Sequence, residues 1–390
     1  MIDLKRAWAM MEENKLDALI ASSPQNVFYT SGFPYHAAAE NRIFFLLRNI
    51  GPAFTILPKG ENPILVSPNS GRATAERFCF IKDQQFYNVS IPKEMASASQ
   101  SRKATFAALQ ALQQTLTKLK IGKGRIGIEG LDLPFNFHVG LKEMVGAAEW
   151  IDAQDIFFTM RAIKQSDEVE QIRRATKFAE AGLEAAFAAI HEGATELDIL
   201  NTYKGEVVRQ GGVWCNTKYC GGRVNGATIS HQASEYRMQP GDPAIFDVGA
   251  ICQGYTTDLA RVGYLGEAEK EGVTLYEVLR RAQELAIQAM KPGVPISEVF
   301  AIGQTYVRES GYPAYTRGNI GHGVGIDFEE EPFIGPDNLW RIEEGMMLAV
   351  EVPFYSAKLG GFNVEDMVYI TNKGPEVLSS SLRKDVIICG

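Results

Sequence analysis

The chain lacks the features that would tie it to a bilayer, a nucleic acid or an oxidising compartment. No stretch reaches the roughly 18 uninterrupted apolar residues that a membrane-spanning helix needs, so no span is expected. Basic residues are not in excess. The 39 Lys and Arg stand against 47 Asp and Glu, and the resulting net charge of −8 argues against a nucleic-acid or anionic-membrane surface. Cysteine is scarce and odd in number. Cys79, Cys215, Cys220, Cys252 and Cys389 show no CxxC or zinc-knuckle spacing, and read as reduced thiols of a cytoplasmic protein. The opening MIDLKRAWAMMEENK reads as an amphipathic helix of mixed charge, without the apolar core of a secretory signal. No internal repeat and no low-complexity tract interrupts the chain.

What is present is the composition of an ordinary soluble globular protein, 45% hydrophobic and 22% charged, over a length of 390 that implies two domains or one large one. Residues 1 to about 155 read as an α/β unit. A helix at about 3–14 leads into apolar runs at 16–20, 44–47, 53–57 and 64–66, then a helical stretch at about 102–119 and a strand at 125–129. Alternation of this kind predicts a sheet covered by helices. The boundary falls near 152–165. Beyond it, Ser166 is expected to cap a helix running to about His191, with Asp167 and Glu168 in its first turn and Val169, Ile172, Ala175, Ala179 and Leu183 on one face. A second helix is expected at 196–210, strand and turn at 213–222, helices at 270–290 and 296–310, and a β-rich end.

The chemistry concentrates in 243–266, PAIFDVGAICQGYTTDLARVGYLG. Two β-rich apolar runs flank Gly254-Tyr255, which predicts a hairpin. Asp247 interrupts a run that otherwise reads as buried, and a carboxylate there is costly unless it is paired or holds a metal. Asp258 follows eleven residues later, a spacing that a hairpin can close. Three more polar residues stand alone in apolar or glycine-rich settings: His322 in GHGVG, Glu351 in MLAVEVPF and Glu365 in FNVEDMVYIT. Singly, each is explained by a hydrogen-bonded buried acid or a core histidine. Together, four carboxylates and one imidazole suit divalent ions, and this many carboxylates suit two. Tyr255 and Thr371 are candidates to orient the ligating carboxylates by hydrogen bonds.

The order Asp247, Asp258, His322, Glu351, Glu365 resembles that of the M24 metallopeptidases of pita-bread fold, which include methionine aminopeptidase, Xaa-Pro aminopeptidase, prolidase and creatinase. RAIKQSDEVEQIRRA at 161–175 resembles the start of their catalytic domain, and LDALIASSPQNVFYTSGF resembles the amino-terminal domain of prolidase and creatinase. The resemblance implies an α+β protein: a creatinase-type α/β domain over 1–155, then a pita-bread metallohydrolase domain over 160–390. It implies a homodimer assembled in part by the first domain. It further implies that Asp247 ligates one ion, that His322 and Glu351 hold the other, and that Asp258 and Glu365 bridge the two. The ions, manganese, cobalt, iron or zinc, would share a hydroxide that attacks an Xaa-Pro peptide bond. Glu351 would shuttle a proton to the leaving amine, and His231, in ATISHQAS, would donate a hydrogen bond to the scissile group. His36 falls where the family's first domain can reach a partner's cleft. His138 reads as structural and His191 as a surface complement to a helix dipole.

Two departures matter. The peptidases of this family carry a second histidine seven residues after the ligand histidine, where this chain has Glu329; Glu330 and Pro332 still fit. A carboxylate there repels an oxyanion unless it is protonated, which crowded carboxylates permit, or it pairs with a cationic substrate group. Prolidases often carry an arginine two residues before the last ligand, and this chain has Asn363, whose amide does not replace a bidentate fork. Three functions follow in order: an Xaa-Pro-type peptidase on small peptides; a creatinase-like hydrolase or lyase acting on a small, cationic, non-peptide substrate; and a binding module without catalysis.

Overall fold

A computed structural model of the protein describes residues 2–34, 51–89, 93–129, 135–228 and 232–390. The apolar run at 44–47 lies outside the described residues. The chain divides into two units, Met1–Arg161 and Ala162–Gly390.

In the first unit the described strands are β1 (Ala18–Ala21), β2 (Phe54–Pro58), β3 (Ile64–Pro68), β4 (Asp83–Tyr87), β5 (Arg125–Ile128) and β6 (Glu149–Asp152), ordered β4-β3-β2-β1-β5-β6. Central β1 is buried along its whole length, as an apolar run covered on both faces should be. The helix Gln100–Lys118 buries Ala104, Ala108, Leu109, Leu112 and Leu116 at helical spacing. Ser99 caps it, its hydroxyl accepting from the Arg102 N–H. Beyond β5, the buried Glu129 carboxylate accepts from the N–H groups of Ser22 and Ser23 at 2.6 and 2.8 Å, from the Ser23 hydroxyl at 2.9 Å and from the Asn26 amide. It thereby fixes the entry to the helix Pro24–Ser31.

In the second unit the helices Ser166–Ala188 and Glu196–Arg209 precede β7 (Val213–Gly221), β8 (Pro243–Cys252), β9 (Tyr255–Thr256) and β10 (Leu259–Leu265). A second helix pair, Lys270–Ala289 and Ile296–Glu309, precedes β11 (Gly321–Gly323), β12 (Met347–Glu351), β13 (Phe354–Ser356), β14 (Gly360–Phe362), β15 (Glu365–Thr371), β16 (Gly374–Val377) and β17 (Ile387–Cys389). The main sheet runs β11-β12-β15-β10-β8-β7, with β16 on β15, β17 on β10 and β9 on β8. No internal repeat is legible in the sequence, yet the chain lays down a helix pair and then strands twice.

Three expectations shift. Ser166 is the first helical residue rather than the cap: the N–H of Gln165 is taken by the Glu168 carboxylate at 2.8 Å, which moves the cap back by one. The helix ends at Ala188, and His191 lies exposed beyond it with Nδ1 3.1 Å from the Ala189 carbonyl. The hairpin turn is Gln253-Gly254, because Cys252 pairs with Tyr255. Both turn residues have positive φ (50° and 87°), as a two-residue turn matched to strand twist requires.

Replacing Glu129 by Ala leaves two buried N–H groups unpaired. It should lower stability by about 2–3 kcal/mol, read as an earlier unfolding transition in calorimetry.

Candidate metal centre

Strand register places the site. Asp247 on β8 pairs with Ala260 on β10, Ala260 with Glu365 on β15, and Glu365 with Glu351 on β12. Directly paired residues of antiparallel strands share a face, so three carboxylates line one row across four strands. Asp258 precedes Ala260 by two residues, and His322 pairs with Ala349, two before Glu351. The period of two brings both onto the same face. The five residues singled out by order and spacing therefore converge on one side of one sheet.

The glycines of the GHG segment are required by close packing. A Cβ at Gly321, whose φ is +137°, would collide with the Ala349 carbonyl oxygen, and one at Gly323 with the carbonyls of Glu330 and Glu331. The His322 Nδ1 lies 3.0 Å from the Gly323 carbonyl oxygen, which turns Nε2 toward the acids. That Nε2 stands 3.7 Å from Asp258 Oδ2 and 4.0 Å from Glu365 Oε1. Asp258, His322 and Glu365 are buried and offer three ligand atoms within 4.8 Å of one another. Asp247 and Glu351 retain partial solvent contact and form the open side.

The electrostatics are those of a cation site. Burial first, then the Glu351 charge, pushes the Asp247 carboxyl up to about 6. Burial, Asp247 and Glu351 raise Asp258 well above the usual carboxylate range, and burial and Asp258 do the same to Glu365. Burial also raises Glu351, against the Arg317 charge and the Asn363 hydrogen bond, and lowers His322. Asp258 Oδ1 and Glu365 Oε1 are buried without a hydrogen-bond partner among the described residues. Unpaired buried carboxylate oxygens facing an imidazole nitrogen fit divalent metal ions, which would supply the missing positive charge.

The sequence did not reveal what holds these ligands. Arg261, fully buried, donates to the Glu365 carbonyl at 2.7 Å and to Asp366 Oδ1 at 2.6 Å, on the face opposite the acids. Asp366 also meets the Ser379 hydroxyl at 2.6 Å and the Lys384 ammonium at 3.0 Å. Burial would raise this carboxyl, but Arg261 and Lys384 hold it below its ordinary value. The Asn363 amide donates to Glu351 Oε2 at 2.9 Å, so the residue in the family's arginine position steadies a candidate ligand. Thr371 is corrected: its hydroxyl donates to the Gly374 carbonyl at 2.8 Å in the β15–β16 turn, six residues beyond Glu365 and on the order of 20 Å along an extended strand. Tyr255 lies on β9 against the core.

Glu329 is exposed, yet its charge acts on Asp247, Asp258, His322 and Glu351, which puts it at the mouth of the site. Glu330 is instead buried and ion-paired with Lys164. His231 and His36 lie outside the described residues. His138 is half-buried on the helix Phe135–Met144 in the first unit.

Lowered affinity for protons in the unfolded chain sets the pH response of the metal-free fold. Carboxyls raised in the fold favour it fully below about pH 4, and that contribution is lost as pH rises through the folded value, about 6 for Asp247, with Asp258 and Glu365 raised in the same direction. Saturating Mn²⁺, at about 100 times its dissociation constant, adds about 2.7 kcal/mol. The gain in Tm on adding Mn²⁺ should therefore grow between pH 5 and pH 8, measured by thermal scans; a gain that shrinks with pH would contradict a carboxylate site.

Comparison with known proteins agrees with this geometry. The family model for metallopeptidase family M24 matches residues 170–372, and that for the creatinase/prolidase N-terminal domain matches residues 4–163. The chain is 26% identical to the Xaa-Pro dipeptidase of Pyrococcus horikoshii, covering 98% of this chain and 97% of that one. It is also 26% identical to the Xaa-Pro dipeptidase of Pyrococcus furiosus, over 98% of each. Among solved structures it is similar to the prolidase from Pyrococcus horikoshii OT3, with a TM-score of 0.80 at 25% identity over 98% of this chain and 99% of the other. The chain, with its register-built row of acids and its creatinase-type first domain, belongs to metallopeptidase family M24.

Proposed function

We propose that the protein is a two-metal hydrolase of Xaa-Pro peptides, with Asp247, Asp258, His322, Glu351 and Glu365 as ligands. The observation that carries this reading is the convergence of four carboxylates and one imidazole on one sheet face, with Asp258 Oδ1 and Glu365 Oε1 left without a hydrogen bond among the described residues. Asp247, His322 and Glu351 would each hold an ion, and Asp258 and Glu365 would serve both. Two divalent ions, whether manganese, cobalt, iron or zinc, would lower the pKa of a water they share to about 7 and so supply hydroxide at neutral pH.

The chain's own groups do the rest. Glu351, oriented by Asn363 and open to the cleft, takes up a proton and returns it to the leaving amine. His231 donates to the scissile carbonyl. Glu329 receives the substrate's ammonium at the mouth. The domains are 1–155 and 160–390, and the assembly is a cytoplasmic homodimer. The match of the first domain to the creatinase/prolidase model supports the dimer, and five free thiols support a reducing compartment. The described helices include none long and apolar enough to cross a membrane.

A second reading keeps the same ligands but gives them a small cationic non-peptide substrate, by hydrolysis or elimination. The charge of Glu329 favours it, since this exposed carboxylate acts on Asp247 and His322 from the position where the family's peptidases carry a histidine.

Hydrolysis of Gly-Pro and Ala-Pro with Mn²⁺ or Co²⁺ separates the two readings; no turnover of either dipeptide would favour the second. Asp258→Ala should lose at least one metal per chain and more than about a hundredfold in kcat/KM. Full activity in that variant would contradict the ligand assignment. Glu329→His should raise prolyl-peptide turnover if the natural substrate is not a peptide, and lower it if Glu329 binds the substrate ammonium.

A further inference from the structure

Beside the acids lies a pair of cations that the proposed mechanism leaves without a role. Lys218 sits on β7 directly opposite Asp247, at the end of the row that continues through Ala260, Glu365 and Glu351. Simple alternation would not put it there. Cys215 pairs with Gly249, and regular alternation from Cys215 would turn Lys218 to the other face. The register instead slips by one between Cys215 and Thr217, where Asn216 takes a φ of +33°. This bulge re-aims Lys218 into the site, the use to which bulges beside active sites are put.

Lys218 is buried. Its ammonium stands 3.4 Å from the Tyr355 hydroxyl and 4.5 Å from the centroid of that ring. On the same tyrosine the Arg317 guanidinium lies 5.9 Å from the ring centroid. Arg317 is half-buried, and its Nε is buried without a hydrogen-bond partner among the described residues. Neither cation has an ion-pair partner within salt-bridge distance among the described residues. Arg317 and Tyr355 also line a cavity of about 590 Å³ with Tyr312, Tyr315 and Phe354.

Charge counting gives this cluster its task. Four carboxylates against two divalent ions sum to zero, so in the loaded site the charges of Lys218 and Arg317 are no longer offset by the acids. Glu329 at the mouth balances one of them. A hydroxide held by the ions would balance the other, so the loaded pocket carries no net charge, yet it offers two cations and a tyrosine hydroxyl to a carboxylate and Glu329 to an ammonium, the pattern of a zwitterion.

From this we infer that Lys218, Arg317 and Tyr355 form a carboxylate subsite that fixes the free carboxylate of the substrate, in place of the arginine whose position Asn363 occupies. The inference rests on the two-metal reading above and deepens it: the substrate is a small zwitterion, its ammonium toward Glu329 and its carboxylate toward Lys218 and Arg317. A free dipeptide has this charge pattern, and a longer peptide or a C-terminal amide does not place a carboxylate there.

The test is calorimetric titration of the Mn²⁺-loaded protein with two pairs of probes, L-proline against L-prolinamide and N-acetylglycine against its amide. Wild type should bind each acid at least tenfold more tightly than its amide. Lys218→Gln and Arg317→Gln should each erase most of that preference while retaining two Mn²⁺ per chain and the wild-type Tm. Arg317 is partly exposed, so its variant remains informative if Lys218→Gln fails to fold. Absence of an acid preference in wild type overturns the inference, and so does a preference that survives in Arg317→Gln, which would mean that the probe carboxylate binds the metals directly. Failure of the peptidase reading is seen separately, as an acid preference carried by these cations in a protein that leaves Gly-Pro intact.

Discussion

Carboxylates brought together in a buried place repel one another and lose their water, and the second unit is arranged around that cost. Asp247, Glu365 and Glu351 stand in one cross-strand row with Asp258 and His322 beside it, and the register that aligns them cannot slip by a residue without turning the set to the opposite face. Hydrogen bonds do not offset the charge: Asp258 and Glu365 each keep a buried oxygen without a hydrogen-bond partner among the described residues. What stabilises the arrangement must be positive and central, and divalent ions meet that need.

The strands are held independently of those ions. Arg261 and Asp366 form a buried pair on the opposite face, and Arg261 also holds the Glu365 backbone. This pair is better compensated than an isolated buried ion pair, because the Ser379 hydroxyl also donates to Asp366 and Lys384 forms a second ion pair with it. Glu365 and Asp366 are thus adjacent acids with opposite electrostatics. One faces acids and is raised; the other faces cations and is lowered. A two-residue motif in the sequence carries both the candidate ligand and its anchor.

Asn363 and Glu329 read in the sequence as departures from a family pattern, and the fold gives each a physical setting. The Asn363 amide orients Glu351 rather than reaching for a substrate, while Glu329 adds a negative charge at the mouth. The cations that the pattern lacks at Asn363 are found on other strands and loops, at Lys218 and Arg317, both against Tyr355.

Much of this was legible beforehand because it is local or periodic. The helix at 100–118 follows from its apolar spacing and the hairpin at 243–265 from its β-rich runs and Gly254, while a lone Asp247 or Glu365 in an apolar run marks a residue whose burial needs a reason. The convergence of those residues came from their order, which resembles a family, and not from spacing alone. Lys218 escaped because β7 carries a bulge, and counting alternate residues through Asn216 gives the wrong face. Thr371 was misplaced because a hydroxyl near an acid in sequence lies far from it along an extended strand. The sequence by itself determined which residues are buried, which elements they build and which acids are out of place, since those follow from hydrophobicity and period. Only the tertiary structure decided which side chains meet, because cross-strand register, a one-residue bulge and pairing between segments a hundred residues apart are fixed by packing rather than by any local signal.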